Sequence, residues 1–156
     1  MSVVKWIRKK SRLSQLVDQP GGMTVRKAME QAQENLSTIR DDCLTAVVEA
    51  VTSLEALVLK TPTDEGAWLD EVYRLASCVL DSVGPFEMED VSNAAFSLCD
   101  LADRLRSSGR NDQASIQVHV RALRLLLQLP KDAVDGRREV LDGLERVVAR
   151  FPKPAA

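Results

Sequence analysis

The sequence predicts an all-α protein, a helical bundle of five to six helices with one long helix over about residues 24–60. Three observations predict it. Apolar residues recur at steps of three and four through most of the chain, no stretch alternates with the period of two that marks a strand, and Gly or Pro punctuates the periodic stretches. The composition agrees: 156 residues, about one domain's worth, of which 45% are hydrophobic and 28% charged, as in an ordinary globular chain.

The elements follow in order. Residues 1–17 hold Lys5, Arg8, Lys9, Lys10 and Arg12 and no acid, which leaves -7 for the remainder of a chain whose net charge is -2. Val3, Trp6, Ile7, Leu13 and Val17 recur there at helical spacing, so residues 1–19 read as a basic amphipathic head, ended by Pro20-Gly21-Gly22. An all-helical domain is expected over 24–151 and a short tail over 152–156. Between Thr24 and Lys60 there is no Gly or Pro, and Val25, Met29, Ala32, Leu36, Ile39, Cys43, Val47, Ala50, Leu54 and Leu57 form one stripe. Such a helix would run to about 55 Å at 1.5 Å per residue, longer than the roughly 30 Å of a small domain. Its first half carries little apolar content beyond the stripe. The second adds Leu44, Ala46, Val48, Val51, Ala56 and Val58, so it reads as core and the first as an arm paired along a seam of Val25, Met29, Ala32, Leu36 and Ile39.

Thr61-Pro62-Thr63-Asp64-Glu65 stops that helix and starts the next, with Thr63 as the expected N-cap. This helix buries Trp68, Leu69, Val72, Leu75, Ala76 and Val79 and ends at Gly84-Pro85. Another begins near residues 88–90, turns Val91, Ala94, Ala95, Leu98, Leu101, Ala102 and Leu105 inward, and ends at Gly109. Asp112 caps a fifth, which Pro130 stops. The last, about 132–150, carries Val134, Leu141, Leu144, Val147 and Val148 and is weakened by Gly136 and Gly143.

Candidate chemistry is sparse. His119 is the single imidazole of the chain, and a lone His on a bundle helix suggests a phosphoacceptor. At 100° per residue it falls opposite the polar arc of Gln117, Arg121, Arg124 and Gln128 and among Ile116, Ala122, Leu123 and Leu126, so a core His bonded to a carbonyl or hydroxyl is expected instead. No catalytic residue, cofactor or metal site is expected: there is no Gly-rich phosphate loop, Asp41 and Asp42 diverge on their helix, and position 116, where a carboxylate-bridged metal centre would need Glu, is Ile. Cys43, Cys78 and Cys99 fall on or near apolar stripes and read as small core residues. Arg104, Arg106, Arg110, Arg121 and Arg124 concentrate on one hairpin, but Asp100, Asp103 and Asp112 interrupt them. A solvated mixed-charge surface is expected there, and no nucleic-acid partner.

Two resemblances add to this reading. Leu98, Leu101, Ala102, Leu105, Gly109 and Ala114 are spaced as in the first helix, turn and second-helix start of a tetratricopeptide unit, whose hairpins form peptide-binding grooves; Ala122 and Pro130 fall later than that pattern places them, and no second copy follows. The stretch Ala94-Ala95-Phe96-Ser97-Leu98-Cys99, with Val118-His119-Val120 and Ala122-Leu123-Arg124-Leu125-Leu126, resembles small helical bacterial proteins associated with chemotaxis, which implies a signalling setting and no activity. The expected protein is thus a cytoplasmic, non-enzymatic interaction or scaffold module, a homodimer that also serves another protein. The alternatives are phosphotransfer through His119, and a peripheral membrane adaptor whose Lys5, Trp6, Arg8, Lys9 and Arg12 make weak contact with an anionic surface.

Overall fold

The computed structural model describes residues 22–152, and the head and tail expected at the chain's ends lie outside them. The described residues divide into two units between Thr38 and Ile39. All regular structure among the described residues is helical.

The long helix expected over 24–60 is α1, Val25–Val58. Its start is capped by Thr24, whose hydroxyl accepts from the Lys27 N–H at 3.3 Å. In the first unit its side chains are exposed apart from the half-buried Leu36, with an exposed i,i+4 pair between Arg26 and Glu30. Burial begins in the second unit at Val47 and continues through Ala50, Val51, Leu54 and Val58. Val48 and Ala56, expected inside, are exposed, because they lie about 100° and 180° around the helix from Val47, which is at the centre of the buried face.

The second unit continues with α2 (Glu65–Val83), a short 3-10 turn (Gly84–Phe86), α3 (Glu89–Ser108), α4 (Gln113–Gln128) and α5 (Val134–Val148). The N-cap of α2 is Asp64 rather than Thr63: Asp64 has extended backbone and its carboxylate accepts from the Ala67 N–H at 3.0 Å. A charged acceptor at the positive helix end is the stronger cap. Asp112 caps α4 as expected, accepting from the Ser115 N–H at 3.0 Å. Past the end of α3, Gly109 at φ 62 takes the left-handed conformation that closes a Schellman motif, with Gly109 N–H to Arg106 O and Arg110 N–H to Leu105 O.

Helix α3 is the hub, packed against α2, α4 and α5. Its Ala94, Ala95 and Ala102 are buried, and side chains this small let neighbours approach closely while Leu98, Leu101 and Leu105 fill the remaining space. Within the second unit, the end of α1 runs antiparallel to α4: Gln113 and Gln117 donate to Val58 O, and Arg124 reaches back to Glu55 and Thr52. Helix α5 runs parallel to α3, because Arg137 near its start meets Asp90 at the start of α3 while Arg104 near the end of α3 meets Phe151 just beyond α5. Val134, expected in the core, is 66% exposed. Phe151, beyond the last helical turn, is buried at that end of the bundle, where the Arg110 guanidinium lies 5.5 Å from its ring.

Candidate functional site

His119 sits on α4 with no exposed surface. Its Nδ1 is 3.0 Å from the Ser115 carbonyl oxygen, which can only accept, so Nδ1 carries the proton. The other nitrogen, Nε2, therefore presents its lone pair to the Ser97 hydroxyl of α3, 3.1 Å away, which donates. The hydroxyls of Thr45, Thr52 and Ser108 turn back to the carbonyl four residues earlier on their own helix; Ser97 reaches across to the imidazole. Burial pushes the His119 pKa below its ordinary value, against the opposing effect of the Ser115 bond. The ring is neutral at pH 7, and both nitrogens are occupied, so it offers no free lone pair to a phosphoryl group.

Ser97 also faces the other way, into a groove between α3 and α5 with a volume of about 580 Å³. One wall is Asn93, Phe96, Ser97, Asp100 and Arg104; the other is Leu141, Leu144, Glu145, Val148 and Ala149. Two buried arginines hold the walls together. The Arg104 guanidinium grips Asp100 with Nε and Nη2 at 2.9 and 2.8 Å, and its Nη1 donates to Phe151 O at 2.8 Å, beside the carbonyl end of α5. At the opposite end, Arg137 Nε donates to Asp90 at 2.6 Å while Nη1 donates to Leu129 O at 2.8 Å. Among the described residues no buried side-chain nitrogen or oxygen lacks a partner.

The arginines of the α3–α4 hairpin form the expected mixed-charge surface with one exception: Arg106, Arg110 and Arg121 are exposed and Arg124 is half-buried, but Arg104 is buried. Arg104 is 8% exposed, Arg106 pairs with Asp70, Arg110 covers Phe151, and Arg124 pairs with Glu55 at 2.6 Å. The last pair holds the Glu55 carboxyl below its usual range, chiefly through the hydrogen bond from Arg124. Arg121 alone of the five has neither an ion pair nor an aromatic partner among the described residues, so no basic stripe faces outward. Sequence reasoning missed the two clamps. For Arg104 a signal existed, since Asp100 lies four residues earlier on the same helix; for Arg137 the partner is 47 residues away and no local pattern marks it.

The seam of α1 is open along its length. Val25 is 77% exposed, Met29 69% and Ile39 46%; Ala32 is exposed and Leu36 half-buried. Cys99 is buried, which pushes its thiol pKa up, and Cys43 and Cys78 are half-buried; all three are free thiols. No cluster of three metal-ligating side chains and no helix long and apolar enough to cross a membrane occurs among the described residues. The candidate surface residues Lys5, Trp6, Arg8, Lys9 and Arg12 lie outside them. No protein-family model matches the chain, and no curated protein or solved structure matches it.

Proposed function

We propose that the protein is a non-enzymatic interaction or scaffold module that pairs with a second copy of itself through the first half of α1. The observation that carries this reading is the run of Val25, Met29, Ala32, Leu36 and Ile39, an apolar seam left open on a helix whose neighbouring half is core. Charged Arg26, Lys27, Glu30 and Glu34 flank it. A polar helix with one narrow apolar stripe gains little stability alone in water, and a second seam supplies what it lacks. Two-fold pairing lets each residue meet the same surface on the other copy. Fully burying a Leu or Ile stabilises by about 1.5–3 kcal/mol, so Leu36 and Ile39 from both chains contribute several kcal/mol before the entropy of association is subtracted.

The setting we propose, bacterial signalling, rests on the partial likeness of residues 94–99 and 118–126 to chemotaxis-associated proteins, and a cytoplasmic location on the three free thiols. Light scattering at tens of micromolar tests the pairing. The wild type is expected at the mass of two chains and Leu36→Glu at that of one, with an unchanged thermal unfolding midpoint for the helical body. A wild type at the mass of a single chain overturns the proposal.

A further inference from the structure

A serine hydroxyl inside a helix ordinarily turns back to a carbonyl of its own helix, as that of Ser108 does to Arg104 O at 2.8 Å. Ser97 instead donates to His119 Nε2, 3.1 Å away on the neighbouring helix, while the Ser115 carbonyl accepts from Nδ1 at 3.0 Å and fixes both the tautomer and the orientation of the ring. A hydroxyl bonded to an imidazole that a third group orients is the arrangement by which a serine becomes a nucleophile. His119 is fully buried and Ser97 half-buried. The lone pair that would take the proton is thus closed to water, and the oxygen that would attack lies on the wall of the α3–α5 groove, within reach of a reagent. Asn93 stands one helical turn before Ser97 on the same wall, and its side-chain amide makes no hydrogen bond among the described residues. A donor is therefore at hand for a carbonyl oxygen that gains charge.

We propose that Ser97 is an activated nucleophile that accepts an acyl group from a small, uncharged, activated ester. The donor is uncharged because Arg104, the cation of the groove wall, is committed to Asp100 and Phe151 O and has nothing to offer an anion. In the step, Ser97 Oγ forms a bond to the carbonyl carbon and its proton passes to His119 Nε2. The bond from that carbon to the leaving oxygen then breaks, the departing phenolate or alkoxide takes the proton from Nε2, and the imidazole returns to its neutral form. An ester is left on Ser97. With His119 enclosed, no water reaches Nε2 to be activated for the reverse cleavage, so the ester persists and the chain carries the group rather than turning it over. That agrees with a non-enzymatic module, and it uses no residue of the α1 seam, so it holds whether or not the chain pairs.

The full chain treated with p-nitrophenyl acetate tests this, with neutral hydroxylamine added afterwards to strip acetyl from the free thiols and the remaining esters mapped by tandem mass spectrometry. Acetyl is expected on Ser97 at least about tenfold faster than on Ser107 or Ser108, which are more exposed and would lead if access alone governed the reaction. The rate at Ser97 should change little between pH 7 and 8, because the imidazole is neutral throughout that range. Ser97→Ala should leave that peptide unlabelled, His119→Gln should slow its labelling at least about tenfold, and Asn93→Ala, at an exposed position, should slow it severalfold, each with helicity unchanged in circular dichroism. Labelling of Ser97 no faster than of Ser107 and Ser108 overturns the proposal, and that outcome needs no variant to fold. So does a rate that climbs tenfold from pH 7 to 8, the mark of attack driven by hydroxide, or the full rate in His119→Gln or Asn93→Ala.

Discussion

The two halves of α1 share one hydrophobic period and one helix, yet they meet opposite fates. From Val25 to Ile39 the apolar positions come one per turn, at steps of three or four, and none is buried; from Val47 to Val58 five are buried. The difference lies in stripe width. Ala50, Val51, Leu54 and Val58 crowd more than one position per turn onto a face, enough to cover a bundle, and the polar pins Thr52, Glu55 and the Val58 carbonyl then meet Arg124, Gln113 and Gln117 of α4. A single file of apolar residues covers no such surface; it suits a partner equally narrow. Period therefore tells where a helix is, and width tells what it can be packed against.

The sharpest way to separate the halves is truncation in each. Leu54→Ala opens a cavity in the core and is expected to cost about 2–5 kcal/mol in urea unfolding, whereas Leu36→Ala should change the stability of the body by less than about 0.5 kcal/mol. Equal costs at the two positions would abolish the distinction drawn here.

Acid offers a second separation, because His119 lies in the core and no imidazole lies near the seam. Its folded pKa is below the value of about 6.5 for a free imidazole, so between those two values the unfolded chain binds a proton that the folded one does not. The stability that His119 contributes is thus complete above pH about 6.5, declines as the pH falls below it, and is gone once the pH has passed beneath the folded value. Urea midpoints measured from pH 7.5 to 5 should fall in the wild type and fall less in His119→Gln, with the mass in light scattering unchanged over the same range. Parallel curves for the two proteins would show that the ring titrates alike folded and unfolded.

The smallest effect is expected at the pins. Arg124→Met removes the pair with Glu55, but both side chains are partly in water and salt screens them, so a loss of about 0.5–1 kcal/mol is expected, reduced at 1 M salt. A loss as large as that of Leu54→Ala would mean that the pins, rather than the width of the apolar face, hold the second half of α1 to the bundle.

Much of this fold was legible without coordinates. Helical spacing located α1 to α5 within one or two residues at most ends, since Gly109 and Asp112 act through local backbone geometry that a few neighbouring residues specify. The inward faces of α2 and α3, from Trp68 to Val79 and from Val91 to Leu105, were equally readable, because a face of several apolar residues per two turns has only one way to avoid water. The burial of His119 followed from the same geometry. Its partner did not: Ser97 lies 22 residues away on another helix, and nothing in either residue's neighbours names the other.

The tertiary structure alone decided the groove. Arg104 reads as part of a solvated surface in the sequence and Arg137 carries no signal there, and only the parallel arrangement of α3 and α5 brings Asp90, Leu129 O and Phe151 O within their reach and makes them clamps. The same arrangement buried Phe151, which lies beyond the last helix, and left Val134 in water, although the periodicity of that helix placed Val134 with its apolar residues. Sequence by itself determined which residues are helical and which faces are apolar, because those depend on contacts a turn or two apart. Which helix lies beside which, and so which charge is buried and which hollow is left open, depends on contacts tens of residues apart, and no local pattern encodes them.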